Sequence, residues 1–305
     1  MFSKIELKNK TQKAFEKYGV SSESAETIAD VLVHTNLKAV DSHCVLRVEH
    51  YIKRIKMGGI NISPQISKSV RLYTTSTIDD DNGFGHYIAK KVMQRAIEKA
   101  KDRRVGAVAV KNSSHCGALS YFVNQATEEN LIGIATIHAD KIVVPFDGAE
   151  SFFGTNPIAF GFPVKEEEPL ILDFATSTVA LGKILNARET GESIPSGWGV
   201  DENGNDTNDP NAVVALTPFG GPKGYGLAMV VEIFTVLLTG AAFGPHISKM
   251  YGDYDKNREL GHFFMVIDPA KFVAAETFKS RLDQMIRKLR EAPPARGTEQ
   301  VYKIE

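Results

Sequence analysis

The amino-acid sequence predicts a layered α/β protein with a helical segment at its N-terminus. Its 305 residues are 43% hydrophobic, which is enough apolar material to bury a sizeable core. The first 57 residues carry apolar side chains at helical spacing, whereas strand-like and helix-like stretches alternate after Gly58 and Gly59. This alternation is typical of a central sheet covered by helices.

Two helices are predicted in the N-terminal segment. Ser21 and Ser22 can cap the first helix, because apolar residues follow them at helical spacing. The second helix is predicted from about Ser42 to Met57, where the two glycines end it.

The remaining elements are predicted from changes in the spacing of apolar residues along the chain. In chain order they are a strand (VRLYTT), a helix (HYIAKKVMQRAIEKAKDRR), a strand (VGAVAV), a helix (ALSYFVNQATEEN), three strands (LIGIATI, PIAFGFP and LILDF), a buried helix (KGYGLAMVVEIFTVLL), a strand (HFFMVID) and an amphipathic helix from Thr277 to Arg290. Between Arg188 and Asp209 the apolar pattern gives way to Gly, Asn, Asp and Pro. That segment is either a binding loop or a solvated insertion.

Charge and composition favour small-molecule chemistry. The chain has 36 Lys and Arg against 37 Asp and Glu, so no excess charge favours a nucleic acid or a membrane surface. The most apolar run, Tyr225 to Phe243, contains Glu232 and is predicted to be a buried helix rather than a membrane span. Two cysteines cannot form a disulfide framework, and no secretory signal is evident, so we expect a cytoplasmic protein.

Three common enzyme classes lack their usual motifs. The runs Gly83-Phe84-Gly85 and Gly224-Tyr225-Gly226 each precede a predicted helix, but neither supplies the third glycine of a Rossmann site. The chain also has no GxxxxGK[ST] stretch for a P-loop and no GxSxG elbow for an α/β-hydrolase.

The run DSHCVLRVEHY is the first candidate site. On the predicted helix His43, Arg47 and Tyr51 share one face, and the guanidinium could bind a carboxylate at two points with the tyrosine hydroxyl adding a third contact. A solvated helix face, with Arg47 paired to Glu49, explains the same residues without a ligand.

Three further runs combine strand ends with polar residues. In NSSHCGALSYF, His115 follows a predicted strand; in ILDFATSTVALGK, Asp173 ends a strand before a helix start; and in FGGPKGYG, Lys223 lies at a helix N-terminus. Ligands commonly bind at such positions in α/β domains. Local backbone hydrogen bonds, helix capping and a flexible loop are the alternatives without a ligand.

Taken together, these runs resemble the malate/L-lactate dehydrogenase family of the second, non-Rossmann type. The resemblance is carried by DSHCVLRVEHY, NSSHCGALSYF, PFDGAESFFGTNPIAFGFP, LDFATSTVALGK, GPKGYGLAMVVE and FFMVIDPAKF. It implies an α/β fold with a three-layer α/β/α non-Rossmann sheet domain and an N-terminal helical domain. We expect residues 1–75 to form the helical domain, which contributes substrate-site residues, and 76–305 the cofactor-binding domain, its C-terminal part packing back on the helical one.

The resemblance also implies chemistry and partners. It implies a homodimer that binds NAD, with NADP as the alternative, and oxidises a small 2-hydroxy acid, or reduces a 2-oxo or cyclic imino acid. Residue by residue it implies catalytic roles for His115 and His43, with either as the proton-transfer group, and no metal. The implied substrate-binding residues are Ser42, Arg47 and Tyr51. The implied cofactor-binding residues are Gly154, Thr155, Asn156, Asp173, Phe174, Ala175 and Lys223.

Within the family, the runs RVEHY, GALSYFVNQA, VVPFDGAE, NARETGESIPSGWGVDENGN and SKMYGD are most similar to the branch that oxidises ureidoglycolate in allantoin breakdown. Malate, lactate and sulfolactate are the alternative substrates. Family members carry glycine where this chain has Cys44, and they continue past QVY with a segment that contacts the cofactor, so we expect cofactor affinity to depend on that region.

Two interpretations from other classes stay open. His43-Cys44 and His115-Cys116 could supply two nitrogens and two sulfurs to a zinc ion, although neighbouring ligands fit one ion poorly. A nucleotide-binding protein that has lost catalysis is the other.

Overall fold

The computed structural model describes residues 2–295 and Gly297. Its helices are α1 (Lys4–Glu16), α2 (Ser22–Leu37), α3 (Val48–Met57), α4 (Gly85–Arg103), α5 (Ser120–Glu128), α6 (Leu181–Thr190), α7 (Pro222–Glu232) and α8 (Ala275–Arg290). Its strands are β1 (Ser67–Arg71), β2 (Thr75–Asp79), β3 (Val105–Ser113), β4 (Ile132–Ile137), β5 (Ile158–Phe162), β6 (Leu170–Phe174), β7 (Gly199–Val200), β8 (Ala215–Leu216) and β9 (Leu260–Ile267). The predicted strand-like QVY and the chain end lie outside the described residues.

Within the described residues, seven strands form one mixed sheet in the order β1-β2-β3-β9-β4-β5-β6. Strands β2 and β3 are parallel, whereas β9 is antiparallel to both of its neighbours, β3 and β4. The β4–β5 and β5–β6 pairs are also antiparallel. A Rossmann sheet is mostly parallel, so this topology agrees with the absent third glycine.

Helices cover both faces of the sheet. On one face α4 and α5 pack against the central strands, and α2 packs on the outside of both. On the other face the turn of π-helix at Ile233–Leu237, which continues α7, packs on β9, where Phe234 stacks on Phe263 with ring centroids 5.0 Å apart. The predicted α/β class with a central sheet between helices is confirmed.

The sheet topology brings several chain crossings to one edge. Strands β3, β4 and β6 run in the same direction and end there, whereas β5 and β9 run in the opposite direction and begin there. Residues after the first three strands and before the other two therefore meet, although they are far apart in sequence. Ligands in open α/β sheets commonly bind at such an edge.

The predicted helix from Ser42 to Met57 is wrong over its first six residues. Two short 3₁₀ turns, Asp41–His43 and Val45–Arg47, precede α3, and between them Cys44 is extended at φ −92° and ψ −164°. The Cys44 side chain is buried there, which the extended backbone allows. His43, Arg47 and Tyr51 therefore do not share one helical face.

Two other elements differ from prediction. The run VRLYTT is not one strand, because β1 ends at Arg71 and a turn closed by the Leu72 amide on the Thr75 carbonyl leads into β2. The apolar run after Tyr225 is helical, but only one side of it is buried. Leu237 and Leu238 are 65% and 54% exposed because only one side of this segment packs on the sheet.

Within the described residues, no helix is both long enough and apolar enough to cross a bilayer. The cytoplasmic location and the absence of nucleic-acid binding stay predictions. So does the domain boundary at residue 75, although β1 precedes it and is hydrogen-bonded into the sheet.

Candidate active site

A cavity of about 1010 Å³ lies at the sheet edge described above. Its wall includes His43 and Arg47 from the 3₁₀ turns, His115 after β3, Asp140 after β4 and Arg258 before β9. Such a concave site with a few convergent polar groups is the usual form of a small-molecule site.

His115 is held at one ring nitrogen by two neighbours. The Tyr51 hydroxyl lies 2.7 Å from Nδ1, and the Gly117 amide donates to the same atom over 3.2 Å. An amide N–H can only donate, and the buried Tyr51 phenol, whose pKa burial raises well above its ordinary value, keeps its own proton. Nδ1 is therefore an acceptor, and the proton of the neutral imidazole is on Nε2.

His43 stacks beside His115, with ring centroids 5.2 Å apart and ring planes at 26°. Its Nδ1 lies 2.8 Å from the Ser42 hydroxyl. Because a serine hydroxyl both donates and accepts, His43 can carry its proton on Nδ1 and leave Nε2 unprotonated. The two imidazoles thus differ in which ring nitrogen can accept a proton.

Burial keeps both imidazoles neutral. Desolvation, with a smaller effect from the charge of Arg47, lowers the pKa of His43 to about 4. Desolvation, with smaller effects from His43 and Arg47, lowers the pKa of His115 well below its ordinary value. At neutral pH this part of the cavity therefore holds neutral rings next to a guanidinium.

Arg47 is oriented from two sides. Its Nε donates to the Ser42 carbonyl over 2.6 Å, and its Nη1 donates to the Tyr251 hydroxyl. Tyr251 belongs to the segment 249–256, which the buried Arg54 anchors by donating to the carbonyls of Lys249, Met250 and Lys256. Helix α3 and the segment before β9 therefore position the guanidinium together.

Arg258 and Asp140 form an ion pair in the cavity wall. Arg258 Nη2 donates to Asp140 Oδ1 over 2.6 Å, and the Arg258 side chain is only 2% exposed. Asp140 Oδ2 also accepts from the Met250 amide over 3.0 Å. Within the described part of the chain, Arg258 Nε and Nη1 have no hydrogen-bond partner.

The cavity continues from the histidines towards β6. Thr155, Asp173, Phe174 and Ala175 line it, and Asp173 accepts from the Ser120 amide at the start of α5 over 2.7 Å. The wall on this side also contains Glu168 and, from α8, Ile286 and Arg290. The volume and the mixture of carboxylate, hydroxyl and apolar groups fit a nicotinamide dinucleotide.

The comparisons with known proteins assign the chain to a family. The model of the malate/L-lactate dehydrogenase family matches residues 2–303. The chain belongs to the malate/L-lactate dehydrogenase family. A ureidoglycolate dehydrogenase (NAD(+)) of Escherichia coli O157:H7 is 43% identical to this dehydrogenase over 284 residues, covering 93% of this chain and 81% of the relative. A malate dehydrogenase of Pyrococcus abyssi is 37% identical over 297 residues, covering 94% and 81%.

A solved structure has the same fold. The sulfolactate dehydrogenase of Methanocaldococcus jannaschii superposes on this dehydrogenase with a TM-score of 0.92 at 36% identity, covering 98% of this chain and 86% of that one. The family prediction is confirmed, and the enzyme class is an oxidoreductase acting on CH–OH groups with a nicotinamide cofactor.

Most of the residues expected to act at the site meet at the cavity. Ser42, His43, Arg47, His115, Thr155, Asp173, Phe174 and Ala175 line it. Tyr51 is buried, and its hydroxyl bonds to His115 rather than sharing a ligand with Arg47. The expected carboxylate clamp of Arg47 and Tyr51 is therefore not the arrangement in the structure, and Tyr251 is the hydroxyl beside Arg47.

Three expected cofactor residues do not line the cavity. Asn156 is fully buried and donates to Glu232 and the Ala228 carbonyl, which ties α7 to the sheet. Gly154 packs so closely that a Cβ would lie 2.4 Å from the Ala139 carbonyl oxygen. Lys223 is exposed at the start of α7. Their placement gives no support to cofactor contacts, which stay predictions.

The other open interpretations can be compared with the structure. No residue of 188–209 lines the cavity, which favours a solvated insertion over a binding loop. Among the described residues, no three His, Cys, Asp or Glu side chains lie close enough to hold a metal ion, and burial raises the pKa of Cys116 well above its ordinary value. A zinc site built on His43-Cys44 and His115-Cys116 is therefore disfavoured.

The sequence analysis missed Asp140, Tyr251 and Arg258. Asp140 follows a predicted strand, as His115 does, and a polar residue at this position indicates a ligand site. Arg258 precedes the apolar run of β9, where a lone arginine could have been noticed. No local pattern marks Tyr251.

Proposed function

We propose that this dehydrogenase oxidises ureidoglycolate to oxalurate with NAD, a step of allantoin breakdown. The observation that carries the proposal is a guanidinium beside two neutral imidazoles at one end of a cavity that fits a dinucleotide. The 43% identity to a ureidoglycolate dehydrogenase favours this acid. Malate and sulfolactate are the alternatives, because dehydrogenases named for them are 37% and 36% identical.

In this proposal Arg47 binds the carboxylate of the substrate. The Arg47 guanidinium can form two charge-assisted hydrogen bonds with a carboxylate, and its contacts to Ser42 and Tyr251 fix its direction. A fixed carboxylate orients carbon 2 of the acid for reaction. Arg47 therefore sets both affinity and orientation.

The hydrogen bonds around the imidazoles favour His43 as the proton acceptor. Nε2 of His43 takes the hydroxyl proton while Nδ1 donates to Ser42. His115, with its proton on Nε2, donates a hydrogen bond to the same substrate oxygen and stabilises the charge that develops there. A bound nicotinamide ring supplies the hydride acceptor, so the C–H and O–H bonds of the alcohol are replaced by C=O.

The carboxylates in the wall favour NAD over NADP. Glu168 and Asp173 line the part of the cavity beyond the histidines, where a carboxylate can accept from ribose hydroxyls and repel an additional phosphate. Arg290, the nearby cation in the wall, already pairs with Glu167 over 2.5 Å. We therefore expect a higher kcat/KM with NAD.

The experiment that tests the function is absorbance at 340 nm with purified enzyme, NAD or NADP, and ureidoglycolate, malate or lactate. We expect the highest kcat/KM with ureidoglycolate and NAD. A higher kcat/KM with malate would assign the enzyme to the malate branch. No turnover of any acid, despite measurable NAD binding, would overturn the oxidation of these acids.

We also propose that the enzyme is a homodimer that associates through the exposed side of the α7 segment. Met229, Val230, Ile233, Phe234 and Leu237 recur at helical spacing, and each is 38–65% exposed. A contiguous apolar stripe of this kind usually marks a protein interface. A second copy of the chain would cover it symmetrically.

The dimer predicts a mass near twice the 33.4 kDa of the chain in light scattering after size-exclusion chromatography. The double substitution Ile233→Glu and Leu237→Glu should give a monomer, because charges in an apolar interface lack partners. Phe272→Glu is the control, since Phe272 is 77% exposed outside this stripe. A wild-type monomer would contradict the proposal.

A further inference from the structure

The ion pair of Arg258 and Asp140 has hydrogen-bonding capacity that the mechanism above does not use. Arg258 is almost completely buried, yet Nε and Nη1 have no partner in the described part of the chain. A buried guanidinium with unpaired N–H groups is costly unless a ligand accepts from them. Because Arg258 lines the cavity, a molecule bound there can supply such an acceptor.

Asp140 presents the complementary capacity in the same place. Each carboxylate oxygen accepts one hydrogen bond from the protein, from Arg258 and from the Met250 amide, and each retains a further lone pair. The Asp140 side chain is 22% exposed and lines the same cavity. A free donor and a free acceptor therefore lie side by side.

We propose that Arg258 and Asp140 determine specificity by binding an amide or ureido group at the far end of the substrate. The inference rests on the proposed function, because Arg47 must hold the other end of the acid. An amide has a carbonyl oxygen to accept from Arg258 and an N–H to donate to Asp140. A second carboxylate has acceptors only, so it satisfies Arg258 but meets the negative charge of Asp140.

Two probes isolate this property. Malate and its 4-amide have the same 2-hydroxy acid end and nearly the same size, but they end in a carboxylate and an amide respectively. We expect the wild-type enzyme to prefer the amide in kcat/KM by at least about tenfold, because a site that pairs with a polar group of the substrate discriminates strongly against an analogue that leaves its buried polar groups unpaired. A preference for malate over its amide would overturn the inference.

Substitutions assign the preference to the pair. Asp140→Asn removes the charge and keeps the size, and it should lower the ratio of kcat/KM for the amide over malate by about tenfold or more. Arg258→Gln should reduce kcat/KM for ureidoglycolate relative to lactate, because lactate has no group that reaches the pair. Asp147→Asn, the same change at an exposed position outside the cavity, is the control and should leave both ratios unchanged.

The design separates failure of the inference from failure of the proposed function. Oxidation of ureidoglycolate with ratios that neither variant changes would overturn the role of the pair and leave the function intact. Preference for the amide over malate without turnover of ureidoglycolate would overturn the substrate and support the pair. NAD binding by fluorescence and the melting temperature show whether each variant is folded. If Arg258→Gln does not fold, Arg258→Lys is measured in its place.

Discussion

The position of one proton on His115 determines how the two imidazoles divide the chemistry. Gly117 and Tyr51 both direct hydrogens at Nδ1, so Nε2 carries the ring proton and, in the proposed mechanism, donates to the substrate. His43 has no such constraint, because its partner is a serine hydroxyl. Two histidines that look equivalent in sequence therefore have different hydrogen-bond surroundings, and we propose different roles for them.

This division predicts different effects of glutamine and alanine. Glutamine retains an N–H donor but cannot transfer a proton, so His43→Gln and His43→Ala should both lower kcat about 10²–10⁴-fold. His115→Gln should stay within about tenfold of wild type, whereas His115→Ala should lose more. Steady-state oxidation of the acid measures these values. Equal loss in both His115 variants, with active His43→Gln, would make His115 the proton acceptor.

The charge of Arg47 predicts a difference between two pH profiles. In the free enzyme the pKa of His43 is about 4, so kcat/KM should fall only near or below pH 4 as the acceptor is protonated. A bound carboxylate offsets Arg47 and raises the pKa of His43, so the acid limb of kcat should lie at higher pH. In Arg47→Gln both limbs should move to higher pH, because the positive charge that disfavours protonation of His43 is removed. A kcat limb below that of kcat/KM would contradict this assignment.

At the scale of elements, α3 and the segment before β9 act as one unit. Burial lowers the pKa of Arg54 to about 10, so its guanidinium stays charged at neutral pH and binds three carbonyls of that segment. His50 packs on the rings of Tyr251 and Tyr254 at centroid distances of 5.2 and 5.5 Å. The contact of Tyr251 with Arg47 therefore depends on a residue outside the cavity wall.

Arg54→Met should loosen this unit. It removes three hydrogen bonds and leaves the carbonyls without that donor, so we expect a loss of about 2–4 kcal/mol in the free energy of unfolding. KM for the acid should rise more than kcat falls, because Arg47 loses its orientation. Lys56→Met, at an exposed position of α3, is the control. Denaturant melts measure the loss of stability, and steady-state kinetics measure KM. An unchanged KM would show that Arg54 does not help to orient Arg47.

The sheet topology explains why sequence proximity is a poor guide to this site. Asp140 and Arg258 are 118 positions apart, but β4 and β9 are antiparallel neighbours, so the end of one lies beside the start of the other. The same arrangement places His115 near both. Inserting β9 between β3 and β4 thus gathers the charged residues of the cavity.

At the scale of the whole molecule, buried histidines make stability depend on pH. His86, His138 and His262 are fully buried, and desolvation lowers their pKa values to about 3, 4 and 3. The unfolded chain, with pKa near 6.5, binds protons that the folded protein does not. The contribution of these histidines to the free energy of unfolding is therefore fully present above about pH 6.5. It is lost as the pH falls towards their pKa values in the folded protein.

We expect the free energy of unfolding to fall between pH 7 and pH 5 by about 1–2 kcal/mol for each of these histidines. Asp80 and Glu232 have pKa values raised by burial and act in the opposite direction, but they are fewer than the histidines with lowered values. His86→Phe, which cannot titrate, should lose about 1–2 kcal/mol less over this range. Urea melts at the two pH values measure the difference, and equal losses would contradict it.

The sequence by itself determined the fold class, the family and eight of the residues that line the cavity. The spacing of apolar residues predicts β3, β4 and α4, because each of them buries one continuous side against its neighbours. The motifs around His43, His115 and Asp173 are each contiguous in the chain. The local sequence also predicted where α3 ends, because Gly58 caps the helix at φ +85°.

Only the tertiary structure decided which of these residues contact one another. The extended Cys44 interrupts the expected helix, Tyr51 bonds to His115, and Tyr251 takes the place beside Arg47. The exposed side of the α7 segment and the pairing of Arg258 with Asp140 depend on which strands are neighbours. Strand order arises from long-range packing rather than local pattern, so no local stretch of sequence contains it.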